Sequence, residues 1–186
     1  SKLHSLILNH IASTAVGYWL ENKDGAQSSF LPSAFNTNFH SYIHLATAAM
    51  PSLKANDGRI GVISSLAGYA GTPLTAVYSS TKHALKGFFD ALRTELLMMG
   101  DNNVSITICN IGATDTEGAR EYAMREMSSK INWDPADAAA KSIITGIANR
   151  NWAIFHPHHL IFPSALLNMV SPKVMSFVLR MTMGGD

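Results

Sequence analysis

Tyr78 and Lys82 stand four residues apart in Val77-Tyr78-Ser79-Ser80-Thr81-Lys82, within a strongly helical stretch. That step places a phenol and an ammonium on one helix face. A neighbouring cation favours the phenolate, which lowers the tyrosine pKa toward working pH and makes a general acid/base for a proton on oxygen. A tyrosine and a lysine at this spacing also occur on ordinary solvated helix faces, so the pair needs a third group. Ser65 supplies one, thirteen residues upstream at the end of the strand-like run Val62-Ile63-Ser64-Ser65. One hydroxyl can polarise a carbonyl while the phenol exchanges the proton. The combination suits carbonyl/alcohol interconversion with a hydride moving to or from a nicotinamide. Ser65 has a plainer alternative, a strand-end hydroxyl that satisfies the loop backbone. A serine hydrolase is poorly supported, because Gly61-Val62-Ile63-Ser64-Ser65 lacks the second glycine of a nucleophile elbow.

These side chains must be held by the elements around them. Strand-like runs occur at Leu6–Leu8, Ile60–Ser64, Val104–Cys109 and Trp152–Phe155. All are short, apolar on both faces and rich in Ile, Leu or Val, as in a parallel sheet covered on both sides. Between them come helical patterns. In the first, Phe35, Phe39, Tyr42, Ala46, Ala49 and Leu53 recur at steps of three and four, ending near Asn56-Asp57-Gly58. The second runs from Tyr78 to Met99 with Gly100 as its C-terminal cap. A third is expected to open at Asp134, with that aspartate as cap, Pro135 in the first turn and Ile143, Ile144 and Ile147 facing inward. Alternating strand and helix predicts an α/β fold of parallel βαβ units. Ligands in such sheets bind beyond the carboxyl ends of the strands. Asn9, Ser64-Ser65 and Asn110-Ile111-Gly112 fall there.

The chain of 186 residues is long enough to bury a real core, and a net charge of +1 gives no sign of nucleic-acid binding. Cys109 reads as a buried strand thiol, and a single cysteine permits no internal disulfide. His156, His158 and His159 are interrupted by Pro157 and have no partner ligands nearby, so no metal site is expected. No run of eighteen apolar residues occurs, so no transmembrane helix is encoded. Residues 1–159 read as one α/β unit. Residues 160–186 form an apolar tail rich in Met and Leu, broken by Pro163 and Pro172.

On four separated pieces the sequence resembles the short-chain dehydrogenase/reductase family. Asn9 ends a strand where the family has its cofactor-facing asparagine, and Asn38 matches the helix asparagine of a proton relay. Ser65 and the Tyr78/Lys82 pair match the catalytic serine, tyrosine and lysine. Ile111-Gly112-Ala113-Thr114-Asp115-Thr116 matches the loop that grips the nicotinamide. Asn9-His10-Ile11, Ser64-Ser65-Leu66-Ala67-Gly68 and Asp115-Thr116-Glu117 are similar to the 11-beta-hydroxysteroid type 1 branch.

The resemblance implies a Rossmann-like, doubly wound parallel sheet. It implies Ser65, Tyr78, Lys82 and Asn38 as catalytic residues, with Ser65 and Tyr78 against substrate. For the cofactor it implies Asn9, His10, Ile11, Tyr78, Lys82, Thr114, Asp115 and Thr116. NADP is the expected cofactor, with NAD not excluded, and a steroid-like small molecule is the expected substrate. It further implies a homodimer at the endoplasmic reticulum membrane or lumen, with peripheral membrane contact through the tail. That tail could equally pack on its own domain or a sister subunit. Tyr122, Met124, Met127 and Trp133 are candidate pocket residues, or equally core residues of a packed helix.

Three departures stand out. The family's glycine-rich pyrophosphate turn has no counterpart, and the first three strands are expected to be missing from this chain. The strand at Leu6 would then show an unpaired apolar edge. Asn110-Ile111-Gly112 also replaces the usual Pro-Gly. The alternative is therefore a truncated, cofactor-incompetent member acting as a dimerisation partner, or a reductase of another lipophilic carbonyl.

Overall fold

The computed structural model describes residues 2–10, 19, 26–122, 132–157 and 173–174. Four strands, β1 (Ser5–Leu8), β2 (Arg59–Ser65), β3 (Ser105–Ile111) and β6 (Ala153–His156), form one sheet in the order β1-β2-β3-β6. Every neighbouring pair is parallel, with Leu8 opposite Val62, Ser65 opposite Ile111, and Ile111 opposite His156. The expected strand runs are thus strands of a single sheet. A second, two-stranded sheet pairs β4 (Thr114–Asp115) with β5 (Asp134–Pro135).

Helices cover both faces, as a parallel sheet with no polar face requires. α1 (Ala26–Phe35), a π-helical turn (Asn36–His40) and α2 (Ser41–Ala55) follow β1. α3 (Ala76–Met98) follows β2, and the short α4 (Glu117–Tyr122) follows β4. α5 (Ala136–Ala148) leads into β6. On one face, Leu8, Ile60, Val62, Ile106 and Ile108 pack with Tyr42, Ala46 and Leu53 of α2 and Leu85, Phe89 and Leu96 of α3. The opposite face buries Cys109 and Ile154 against Ile147 of α5. Period-two alternation along β2 and β3 sorts their side chains between these two cores.

The ends of the long helix follow from its sequence. Gly100 takes φ 71°, which only glycine adopts freely, and the N–H groups of Gly100 and Asp101 close on the carbonyls of Leu97 and Leu96. The start of α5 corrects the sequence expectation. Pro135 occupies the N-cap position and no side chain caps the helix. Asp134 lies instead in β5, and its carboxylate is bonded to the ring of His156. An aspartate already paired to an imidazole leaves the helix N–H groups to other partners.

The Cys109 thiol is buried, and burial pushes its pKa up to about 12. β1 is an outer strand of the sheet, with Ile7 48% exposed beside Ile144 and Ile147 of α5. No helix among the described residues is long and apolar enough to cross a membrane. Apart from Lys173 and Val174, the tail from residue 160 lies outside the described residues, as do His158 and His159.

Candidate active site

Two of the sequence-predicted groups, Lys82 and Tyr78, face each other on α3 beside the strand that ends in Ser65. Lys82 is 2% exposed although it carries a charge. Its ammonium donates to the Ile63 carbonyl at 2.9 Å, two residues before Ser65 on the same strand. The same nitrogen lies 5.8 Å from the centroid of the Tyr78 ring and 5.5 Å from that of Tyr42. Two aromatic faces and one carbonyl therefore hold the cation where water does not compete. Burial lowers the Lys82 pKa from 10.5 to about 8, which leaves it mostly protonated at neutral pH.

Ser65 ends β2 and opens a 3-10 turn, Leu66–Gly68, where its Oγ accepts from Ala67 N at 3.1 Å. The loop-bonding alternative for this serine is thus real. That bond uses an acceptor lone pair, so the hydroxyl proton can still be given to a substrate oxygen. The turn lies directly on α3. A Cβ built at Gly68 would sit 2.9 Å from the Lys82 carbonyl oxygen and 2.7 Å from Ser64 Oγ. Backbone meets backbone at this point, and only glycine leaves room. Gly68→Ala should therefore cost about 1–3 kcal/mol of stability, read as a lower urea midpoint at unchanged m-value. A midpoint equal to that of the parent would remove this contact from the account of the site. Between the turn and α3, Leu74 takes φ 68°, a conformation unusual for a leucine and the kind of strain that collects near functional sites.

Asn38 is fully buried within the π-helical turn, and π turns recur at functional positions. Its Nδ2 donates to Thr81 Oγ1 at 3.3 Å, and that hydroxyl donates to the Tyr78 carbonyl at 2.8 Å. Asn38 is therefore tied, through Thr81, to the N-terminal part of α3, one turn on from Tyr78.

At the end of β1, Asn9 is exposed and His10 half-buried. The His10 ring packs 4.4 Å from that of Tyr42, and its Nε2 is bonded to Ser41 Oγ. Ser41 Oγ in turn donates to the Thr37 carbonyl at 2.5 Å. Burial, and then the nearby Lys82 cation, hold the His10 pKa below its ordinary value. Ile11 lies outside the described residues.

In the loop after β3, Thr114 Oγ1 donates to the Gly112 carbonyl at 3.3 Å. Asp115 is gripped by Nε and Nη2 of Arg120, at 2.5 and 2.8 Å, which holds its carboxyl below the usual carboxylate range. Thr116 Oγ1 accepts from Ala119 N at the start of α4. Trp133 is half-buried under the Arg120 guanidinium. Met124 and Met127 lie outside the described residues, and of Tyr122 only its place at the end of α4 is described.

One contributor escaped sequence reasoning. Tyr42 was legible only as an inward member of an apolar stripe, but its hydroxyl donates to the His10 carbonyl at 2.7 Å. Burial first, and then Tyr78, push the Tyr42 pKa up, so it acts as a neutral donor and not as an acid. Its four-residue step from Asn38 was the available signal, since that step shares a helix face. Among the described residues no group of three or more His, Cys, Asp or Glu side chains is gathered for a metal.

The sequence pattern described as "short chain dehydrogenase" matches residues 10–126. The chain is 43% identical over 155 residues to the hydroxysteroid 11-beta-dehydrogenase 1-like protein of Gallus gallus, covering 83% of this chain and 51% of that protein. It is 40% identical over 157 residues to the protein of the same name from Xenopus tropicalis, again covering 83% and 51%. The chain thus spans about half the length of these relatives. Among solved structures, a short chain dehydrogenase/reductase from Burkholderia phymatum in complex with NAD superposes with a TM-score of 0.74. Its identity is 19%, over 93% of this chain and 67% of that one. A short-chain dehydrogenase from Sphingobium yanoikuyae in complex with NADPH gives 0.70, at 19% identity over 93% and 64%. At such identities the superpositions speak for the fold, and the matched sequence pattern speaks for descent: this chain belongs to the short-chain dehydrogenase family.

Proposed function

We propose that this chain carries the catalytic half of an NADP(H)-dependent oxidoreductase that interconverts a ketone and a secondary alcohol on a steroid-like substrate. One observation carries the reading: the buried Lys82 ammonium, fixed to the strand that ends in Ser65, 5.8 Å from the Tyr78 ring. In reduction, Tyr78 gives its phenolic proton to the carbonyl oxygen while Ser65 donates a hydrogen bond to that oxygen. The Lys82 cation stabilises the phenolate left behind. In oxidation the phenolate takes the alcohol proton back. Asn38 borders the route by which Tyr78 would exchange protons with solvent.

The residues present fit a nicotinamide nucleotide. An ammonium has three donors, of which the Ile63 carbonyl takes one, so Lys82 can reach ribose hydroxyls. Asn9, His10, Thr114 and Thr116 would complete that cradle at the carboxyl ends of β1 and β3. A bound nicotinamide would supply or accept the hydride. The steroid-like substrate is suggested by the names of the relatives and the preference for NADP by the family resemblance alone, with Trp133 as a candidate apolar wall.

A second reading, a subunit that keeps these side chains without turning over, is favoured by the outer position and exposure of β1 at Ile7. Titration with NADPH separates the two, read as energy transfer from the tryptophans to the nicotinamide. Saturable binding, followed by reduction of a steroid ketone, is the expected result. Failure to bind, beside activity in a longer form carrying a glycine-rich turn, would establish the second reading instead.

A further inference from the structure

His156 and Asp134 form an ion-pair-capable contact, Nε2 to Oδ2, that the chemistry above does not use. Their side chains are 15% and 23% exposed, so water competes only partly for the bond. The pair stands at the carboxyl end of β6, in the row that runs from Ser65 through Ile111 to His156. The position is the crevice end of the sheet, where an aspartate and a histidine have no packing reason to be.

The contacts around the pair converge on one segment. The His156 carbonyl accepts from Gly112 N at 2.8 Å. Asp134 N donates to the Ala113 carbonyl at 2.9 Å, and Thr114 pairs with Asp134 in the small sheet. His156 therefore holds the loop after β3 twice, directly through its backbone and indirectly through its ring by way of Asp134. Both feet of the 116–133 connection, at Asp115 and at Pro135, are joined across the same two-residue sheet. A hydrogen bond with a chargeable donor and an anionic acceptor is the strong kind, suited to this purpose.

We propose that His156 and Asp134 are positioning residues, a side-chain clamp that seats the Gly112–Thr116 segment and thereby sets affinity for the nicotinamide end of the cofactor. The cofactor part rests on the reading of that loop as nicotinamide-facing; the clamp itself does not. The pair would act as an outer support that aims Thr114 and Thr116 without touching the reacting atoms.

Two measurements on the full chain keep these parts separate. Amide hydrogen exchange without cofactor should quicken at least about tenfold at Gly112 and Asp134 in Asp134→Ala and in His156→Ala, while Val62 and Ile108 in the core strands hold their protection. His156→Gln, which retains a side-chain N–H donor, should recover part of that protection and serves as the milder variant if His156→Ala does not fold. Unchanged exchange at both amides would overturn the clamp, and so would equal loss of protection at Val62 and Ile108. In the NADPH titration, Asp134→Ala should weaken binding about tenfold, and under turnover a rise in cofactor KM should exceed any fall in kcat. Faster exchange with unaltered NADPH affinity would overturn the positioning role. If the unsubstituted chain binds no NADPH, the proposed function fails on its own account and the exchange data still decide the clamp.

Discussion

Replacing Tyr78 by phenylalanine should reduce turnover by about three orders of magnitude or more, with the fold little changed. General acid/base groups contribute about 10²–10⁴-fold, and here the same oxygen also anchors the developing charge. The substitution removes one atom from a half-buried ring in the first turn of α3. The ring stays to face Lys82. The check is a pair of measurements on one preparation, steady-state reduction of a steroid ketone and the far-UV circular dichroism melt. Retained activity in the phenylalanine variant would overturn the assignment of the proton-transfer group. A large drop in melting temperature would mean that the loss of turnover reports unfolding.

Exchanging Lys82 for methionine has the opposite sign for stability. In an unfolded chain this ammonium titrates near 10.5, and in the folded protein burial brings it down to about 8. Below pH 8 both states are charged, and the fold bears the whole cost of sequestering a cation, on the order of 3 kcal/mol. As pH rises from 8 toward 10.5 the folded form gives up its proton first, and the cost fades. The parent protein should therefore gain stability across that window, with the methionine variant lacking this gain. Some of the benefit is returned, because the Ile63 carbonyl loses its 2.9 Å donor. A net stabilisation of about 1–3 kcal/mol near neutral pH remains. Urea unfolding at about pH 7 and about pH 9.5 measures both effects. Turnover should vanish in the variant, and in the parent it should decline above pH 8 as the cation is neutralised. A methionine variant less stable than its parent would show that Lys82 is held by favourable contacts and is not a strained catalytic group.

Much of this was visible in the chain itself, for identifiable reasons. A short run such as Ile60-Gly61-Val62-Ile63 carries no polar side chain on either face, and that pattern admits few structures besides a covered strand. Tyr78 and Lys82 share a helix face because their four-residue step extends, toward the N-terminus, the stripe marked by Leu85, Phe89 and Leu96. By contrast, β4 and β5 have two residues each, too few to show any period. α1 was hidden by Ser28, Ser29 and Pro32, which argue locally against a helix. The start of α5 was misplaced because Asp134 followed by Pro135 reads as a cap from local sequence. The competing partner, His156, is 22 positions away and comes near only when β6 joins the sheet. Tyr42 shows the same limit. Its apolar ring was placed correctly by periodicity, whereas its hydroxyl bond depends on β1 and α2 coming together.

The π-helical turn at Asn36–His40 has a wider consequence. A regular helix rotates about 100° per residue, so the wider loop of a π turn absorbs one extra residue and puts upstream positions more than a quarter turn out of phase with those downstream. Ala34 of α1 lies buried on one side of that shift, and Tyr42, Ala46 and Leu53 of α2 lie buried on the other. Shortening the turn by one residue would give a better-bonded helix and a worse machine, with either Asn38 or the whole of α1 swung away from its present quarter. The irregular ladder thus serves as the phase adjuster between two helices that must answer to different neighbours.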